Sequence, residues 1–378
     1  MMRTPSIKPA VAVLAGALTL GACSTFSPDG GMNVAANLAD QELHKDVVAI
    51  RTQDDASSAQ ARVQQLLKRP LTADTAVQIA LLNNRGLQAA YNELGIAEAA
   101  MVGASLPPNP TFSVSRLSGP LEIELEKRIV ANILALATLP ARAEVAADRF
   151  RQAQLRAAEE TLRVAAETRR AYYRAIAARE LDGFLEQAKS AAETASQLAR
   201  RLGETGAMNK LDQAREQVFY AEIAAQLAGA RQRAASDRER LVRSLGLWGG
   251  DLGFKLPNVL AALPRRPHAL PGIETEAIRR RVDLQIARIE LDALARSYGL
   301  TQATRFINLL EVAGIGKTSI ERETGERIRS HGFEVEFQVP LFDFGEVRVR
   351  QAEATYMQAV NRLLELAVNA RSHARDAY

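Results

Sequence analysis

The chain has 378 residues, of which 47% are hydrophobic, 24% charged and 5% aromatic; it is composed to fold, and its abundant alanine favours long helices over a core of large side chains. The formal charge of +4 falls to about +2 once Arg3 and Lys8 are set aside, with bases and acids interleaved along the rest. Despite a pI of 9.3 there is no basic stripe, which excludes a nucleic-acid partner.

At the N-terminus, Arg3 and Lys8 precede an apolar run from Val11 to Leu20 and then "LGAC", which reads as a signal peptide over 1–22. The only cysteine, Cys23, stands where a bacterial lipoprotein box places it. That likeness implies cleavage before Cys23 and lipidation of its thiol, the alternative being a buried cysteine behind a plain signal peptide. Ser24 rather than Asp follows, which by the same likeness favours the outer membrane. A lone cysteine allows no disulfide within the chain. No other segment has the roughly 20 apolar residues of a spanning helix, and Ile129 to Leu139 is too short. Any membrane crossing must be made by strands.

Residues 23–70 read as a polar tether and a weakly amphipathic N-terminal segment. A first unit follows over 71–245. Thr72 is the predicted N-cap of a helix that runs without a break to the prolines of "LPPNP". "TFSVSRL" then alternates as a strand, and strands are expected within about 109–138. From about 141 to 245 the text is helical. The run Ala141 to Arg201 alone would make a rod of about 90 Å, bent into an antiparallel hairpin whose tip spans Gly203 to Lys210. Leu181, Leu185, Ala188, Ala192, Ala195, Ala199 and Leu202 mark its seam on one arm, and Leu211, Ala214, Val218, Ala221, Ala225 and Ala228 on the other.

Glycines and prolines mark 246–272 as a linker. The pattern then repeats over 273–378: "AIRRRVDLQIARIELDALARSYGL" echoes "ALLNNRGLQAAYNELGIAEAAMVGASL", strands are expected within about 304–342, and a second long helix follows. "RDAY" at the end sits where "RRAYY" sits in the first copy, which continues for about 75 residues more. The expectation is an incomplete second repeat, lacking its returning helix and second tip through a fragment or a truncated gene. The fold class is therefore mainly α with a small membrane β part, in a duplicated helix, strand, strand, long-helix plan.

"AGIGKTS", Ala313 to Ser319, has the look of a phosphate loop, but Glu311 stands where the motif needs glycine and a polar loop, "SIERETGERIRSHG", follows where a helix should open; chance similarity is the reading. The four histidines share no metal-ligand spacing, so no metal site, cofactor or catalytic constellation is expected. In "GFEVEFQVPLFDFG", Phe333, Val335, Phe337 and Val339 fall on one face and Glu334, Glu336 and Gln338 on the other. Behind a lipoprotein signal and in duplicate, this favours an outer-membrane barrel strand over a half-buried hairpin. The phenylalanines then meet lipid, the two glutamates and Gln338 line a wet lumen, and Phe342 and Phe344 stand at an interfacial girdle. Four strands cannot close a barrel alone, so several chains must share one. The register of the first copy is ambiguous: "LEIELE" from Leu121 matches "FEVEFQ", whereas counting back from the long helix pairs Ile129 to Thr138 with it. One long strand would reconcile the two.

Together these stretches, with "LPAR" at Leu139, the tip "RLGETGAMNKLDQAR" and "QVPLFDFGEVRVRQAEA", resemble the TolC-type outer-membrane efflux proteins, in particular their lipoprotein branch. The resemblance covers nearly the whole mature chain. It implies a homotrimer with a shared twelve-stranded barrel and an α-helical barrel, anchored by lipid in the outer membrane of a bacterium and extending into the periplasm, where it meets a periplasmic adaptor protein and an inner-membrane efflux pump. Gly206, Asn209 and Asp212 match the tip an adaptor would touch; alternatively Gly206 and Asn209 only turn the chain and Asp212 only caps the next helix. The implied function is a passive export duct with no enzymatic step, its acidic lumen biased towards cations. Two other readings are a periplasmic adaptor lipoprotein, which would show paired lipoyl-like halves and no duplication, and an anchored hydrolase, for which no nucleophile constellation is present. Cargo is not legible.

Overall fold

Short polar side chains open several of the helices. In a computed structural model describing residues 26–263 and 271–377, the chain divides into two units, one drawn from Met1–Gly31, Glu93–Arg156 and Gly272–Tyr378 and the other from Met32–Asn92 and Ala157–Pro271. Cys23 and the signal segment lie outside the described residues.

In the second of these, α1 (Asn33–Leu43) and α2 (Gln53–Leu67) occupy the stretch expected to be a tether. Ala35, Ala39, Ala59 and Val63 are buried, and Thr52 with Asp55 makes a reciprocal capping box at the start of α2. Two N–H groups, of Arg51 and Thr52, donate to the Asp55 carboxylate and hold its pKa below the ordinary value. Next comes α3 (Ala73–Asn83), the centre of the core. Thr72 caps it as the sequence indicated, and Val77, Ile79, Ala80, Leu81 and Leu82 are fully enclosed.

The first helix does not run unbroken to the prolines. It stops at Asn84, in extended backbone, and restarts as α4 (Arg85–Ser105). The Asn84 side chain explains the break: its oxygen accepts from the Leu87 N–H at 3.1 Å, acting as an N-cap, and its amide donates to the Ser244 carbonyl at 3.0 Å. In the second repeat α8 (Ile273–Arg280) and α9 (Val282–Ala303) break at Arg281, the position aligned with Asn84. The duplication is thus written in the backbone as well as in the text.

Two long helices follow in the first repeat, α6 (Leu139–Glu204) after a short α5 (Ile133–Ala137), and α7 (Lys210–Leu245). Leu185 packs with Leu227 and Ala230 between the arms of the hairpin, and Arg231 bridges to Asp182 and Glu186. The predicted seam needs correction. On α6 the buried line is Leu185, Ala192, Ser196 and Ala199, with Leu181 and Ala195 exposed. On α7 the residues turned inward are Gln213, Glu216, Tyr220, Ile223, Leu227 and Ala230, at the same alternating spacing, while Leu211 and Val218 are 62% and 66% exposed. α7 carries two stripes of one period, and spacing alone does not say which one its partner arm covers.

The linker beyond α7 is not loose. Phe254 and Leu256 are buried, Arg238 stacks 4.2 Å over the Phe254 ring, and the Leu71 N–H donates to the Lys255 carbonyl at 2.9 Å.

The other unit holds the sheet. Four antiparallel strands lie in chain order, β1 (Thr111–Ser118), β2 (Glu122–Asn132), β3 (Leu309–Glu321) and β4 (Arg327–Gln338). β4 leads through Pro340 and Gly345 into α10 (Glu346–Ala377), which packs on α9; Leu284 and Ile286 of α9 and Val349 and Ala370 of α10 are buried. The apparent phosphate loop lies within β3, and the polar "loop" after it is mostly strand: only 322–326 turns, with Gly325 at φ +71. Alternation hid this because charged and apolar side chains share each face. The register ambiguity also resolves. β2 runs out of the first candidate segment into the start of the second but stops at Asn132, where α5 takes over, and Asn132 and Gln338 stand similarly ahead of the long helices that open at Leu139 and Glu346.

Candidate functional site: an acidic sheet face and a hairpin tip

Partners opposite each other in an antiparallel ladder project from the same face, so the register sorts every side chain of the sheet. Glu334 stands against Ala313 and Val130, Glu336 against Glu311 and Asn132, and Gln338 against Leu309. Along the same face the ladder adds Glu126 beside Lys317, Glu124 beside Ser319, and Glu122 beside Glu321. All the glutamates of the four strands therefore share one face, accompanied by two cations. Both cations are paired: Arg128 with Glu334 at 3.2 Å and Lys317 with Glu124 at 2.6 Å. Asn132 donates to Glu311 at 3.3 Å. Sequence reading found Glu334, Glu336 and Gln338 but not the contribution of Glu122, Glu124, Glu126, Glu311 and Glu321. The alternation of "EIELE" was the available signal.

The opposite face begins, near the helices, with rows of apolar side chains: Leu310 beside Phe337, then Ala131, Val312 and Val335, then Phe112, Ile129, Gly314 and Phe333. Phe333 is 81% exposed and Phe112 69%. A continuous apolar patch of this kind on a sheet marks a surface made for an apolar medium or another chain. Both outer edges, on β1 and β4, lack a strand partner among the described residues.

The turn from β4 to α10 carries the two girdle candidates, Phe342 and Phe344, both exposed. Phe344 adopts φ +48 and Gly345 φ +72. Arg305 holds this turn by donating to the Phe344 carbonyl at 2.8 Å, and a Cβ on Gly345 would collide with the Arg305 carbonyl oxygen. Only glycine fits there.

In the other unit, the hairpin tip is a Schellman turn followed by an N-cap. The Gly206 N–H donates to the Gly203 carbonyl at 3.1 Å and the Ala207 N–H to the Leu202 carbonyl at 2.8 Å, with Gly206 at φ +78. Asn209 then opens α7: its side-chain oxygen accepts from the Asp212 N–H at 2.9 Å and its amide donates to the Asp212 carboxylate at 2.6 Å. The cap is thus Asn209, and Asp212 braces it while pairing with Arg215 at 3.1 Å. No atom lies within 4 Å of where a Gly206 side chain would begin.

No group of three His, Cys, Asp or Glu among the described residues could hold a metal ion, and no described helix is long and apolar enough to cross a membrane.

Residues 275–378 match the model of the outer membrane efflux protein family. No curated protein matches the chain. Among solved structures, CusC, whose structures concern transmembrane channel formation, superposes with a TM-score of 0.64 at 17% identity, covering 81% of this chain and 74% of that one. A membrane protein from Pseudomonas aeruginosa gives 0.61 at 19%, covering 82% and 73%, and the CmeC outer membrane channel of Campylobacter jejuni 0.59 at 15%, covering 88% and 74%. The chain has the fold of these outer-membrane channels.

Proposed function

We propose, from a chain whose residues 275–378 match the outer membrane efflux protein family and whose fold is that of outer-membrane channels, that this protein is the outer-membrane component of a tripartite efflux system. It acts as a passive duct that makes and breaks no bond. The observation that carries the reading is the sheet with one acidic face, an opposite face whose helix-side half is apolar and exposed, and two edges without a strand partner among the described residues. In lipid an unpaired edge costs several kcal/mol for each bare backbone group, so the edges close on copies of the same chain. Three copies of four strands give a twelve-stranded barrel, within the range of known outer-membrane barrels. The acidic face then lines the water path, and the phenylalanines meet lipid. A periplasmic adaptor would leave that apolar face without a solvent to match it.

The exposed α7 stripe of Leu211, Val218 and Phe219 supports the same assembly, because a neighbouring copy is the natural cover for a second heptad stripe. Gly206, Asn209 and Asp212 form the contact for a periplasmic adaptor, itself joined to an inner-membrane pump. The tip offers its own test, since Gly206→Ala meets no neighbour and costs only the backbone strain, about 1 kcal/mol. A loss of adaptor binding well beyond that marks a contact residue, and unchanged binding marks a mere turn. Lipidation at Cys23 anchors the chain; labelled fatty acid should enter the wild type and not Cys23→Ser. The function itself is tested by adding detergent-purified protein to planar bilayers. Stepwise, long-lived conductances with a heat-dissociable oligomer are expected, and monomeric protein without conductance would overturn the assignment.

A further inference from the structure

The upper half of the apolar face is not apolar. Continuing along the same ladder away from the helices, the fourth row is Val114, Lys127, Gly316 and His331, the fifth Arg116, Leu125, Thr318 and Arg329, and the sixth Ser118, Ile123, Ile320 and Arg327. Four permanent cations, Arg116, Lys127, Arg327 and Arg329, thus gather at the loop end of the face on which no strand glutamate projects. The contrast with the other face is one of pairing as well as sign. Arg128 and Lys317 have carboxylate partners, whereas these four are exposed and make no ion pair or hydrogen bond among the described residues. The β3–β4 turn does not supply one: Glu326 stands opposite Glu321 in the ladder and so belongs to the acidic face.

We infer that this cluster binds the phosphate groups of lipid in the outer leaflet, an inference that rests on the barrel reading above. The height fits. Arg329 and Arg327 follow Phe337 by enough strand, at about 3.4 Å per residue and a tilt of about 40°, to stand about 21 and 26 Å above it. The apolar band of an outer-membrane barrel is about 25 Å tall, so both guanidinium groups reach headgroup level. Lys127, one row lower, reaches the same level by extending its stem along the apolar surface. Arginine forks match phosphate oxygens two at a time, and an unpaired cluster at the rim of hydrocarbon has no other anion to meet. A soluble acidic protein would be screened from a face embedded to this depth, which leaves the lipid itself.

The test uses the intact oligomer in detergent and two probes, lipid A carrying both phosphates and lipid A stripped of them, with affinity read by titration of a fluorescent derivative. Wild type should prefer the phosphorylated probe, and replacing the four cations by Gln should erase the preference, about fivefold for each charge removed near a headgroup layer. Arg→Lys at 116, 327 and 329 should keep most of it. Equal affinity of wild type for the two probes, or a preference that survives in the Gln variant, overturns the inference. If the Gln variant does not assemble, raising salt with wild type decides: the preference must shrink with ionic strength if it is charge pairing. Protease protection of the strands in vesicles separates the failures. An oligomer that never inserts defeats the barrel reading, whereas one that inserts and ignores the phosphates defeats this inference alone.

Discussion

Gly345 is the residue on which the passage from sheet to helix depends. Its φ of +72 and the Arg305 carbonyl in its side-chain space mean that Gly345→Ala adds backbone strain to a clash that a rigid backbone atom cannot relieve. A loss of about 2 kcal/mol or more is expected, seen as a lower temperature for heat dissociation of the oligomer. Tyr91 gives the complementary case in the other unit. It is buried, its hydroxyl lies 2.8 Å from the Thr161 hydroxyl, and burial, only partly offset by that bond, raises its pKa to about 12 from 10. Below pH 10 the phenol is neutral whether the chain is folded or not, so the fold keeps its full stability. Between pH 10 and 12 the unfolded chain ionises first and stability falls, by about 2 to 3 kcal/mol in all. Tyr91→Phe should lose about 1 kcal/mol at neutral pH and flatten that alkaline decline. Denaturant midpoints measured at pH 9 and 11.5 check both.

At the scale of elements, the hairpin separates what a period can tell from what it cannot. The heptad text identified two helices and their turn, and the tip residues Gly206 and Asn209 occupy conformations their types announce. The covering partner of α7 was not legible, because Leu211, Ala214, Val218 and Ala221 recur at the same spacing as Gln213, Glu216, Tyr220 and Ile223. Similarly, strand 333–338 was legible from its alternation, whereas 327–332, rich in charge, read as loop; the register with β3 supplies the order that local propensity lacks. The helix break at Asn84 escaped notice because an asparagine pair inside an apolar run is a weak signal until its amide finds a carbonyl distant in sequence. The two α7 stripes lead to a prediction. Leu211→Ser, Val218→Ser and Phe219→Ser together should leave the helix content of the chain unchanged by circular dichroism, since these side chains touch little within it. Leu227→Ala should cost about 2 to 3 kcal/mol of hairpin stability instead. If the outer stripe is the interface between copies, the triple serine variant lowers the oligomer fraction at equal concentration; an unchanged oligomer would put the stripe elsewhere.

For the whole molecule, the edges of β1 and β4 have no strand partner among the described residues, and on the proposed placement in lipid the backbone itself, more than any side chain, would call for their pairing with further copies. In a closed ring of copies the β1 edge of one chain lies beside the β4 edge of the next. Cysteines placed at Ser113 and, one variant at a time, at Ser330, Gly332 or Glu334 then approach within disulfide range in at least one combination, because partners across an antiparallel ladder have Cβ atoms about 4.5–5.5 Å apart. Oxidation in the membrane should give a covalent ladder that stops at three chains, while either cysteine alone gives none. A ladder running past three would mean an open filament, and no ladder in any register would mean the edges are sealed by something other than this chain. The same closed ring fixes the electrostatics of the path. On the proposed closed ring every glutamate of the strands would face the path, with two cations per chain to oppose them, so a preference for cations is expected; Glu334→Gln with Glu336→Gln removes two of the three acids nearest the helices, Glu311 being the third. The first of these changes also strips Arg128 of its 3.2 Å partner, releasing a cation into the path. The ratio of cation to anion permeability, read from reversal potentials in a salt gradient, should therefore fall. Arg128→Gln added to the pair should restore part of the original ratio.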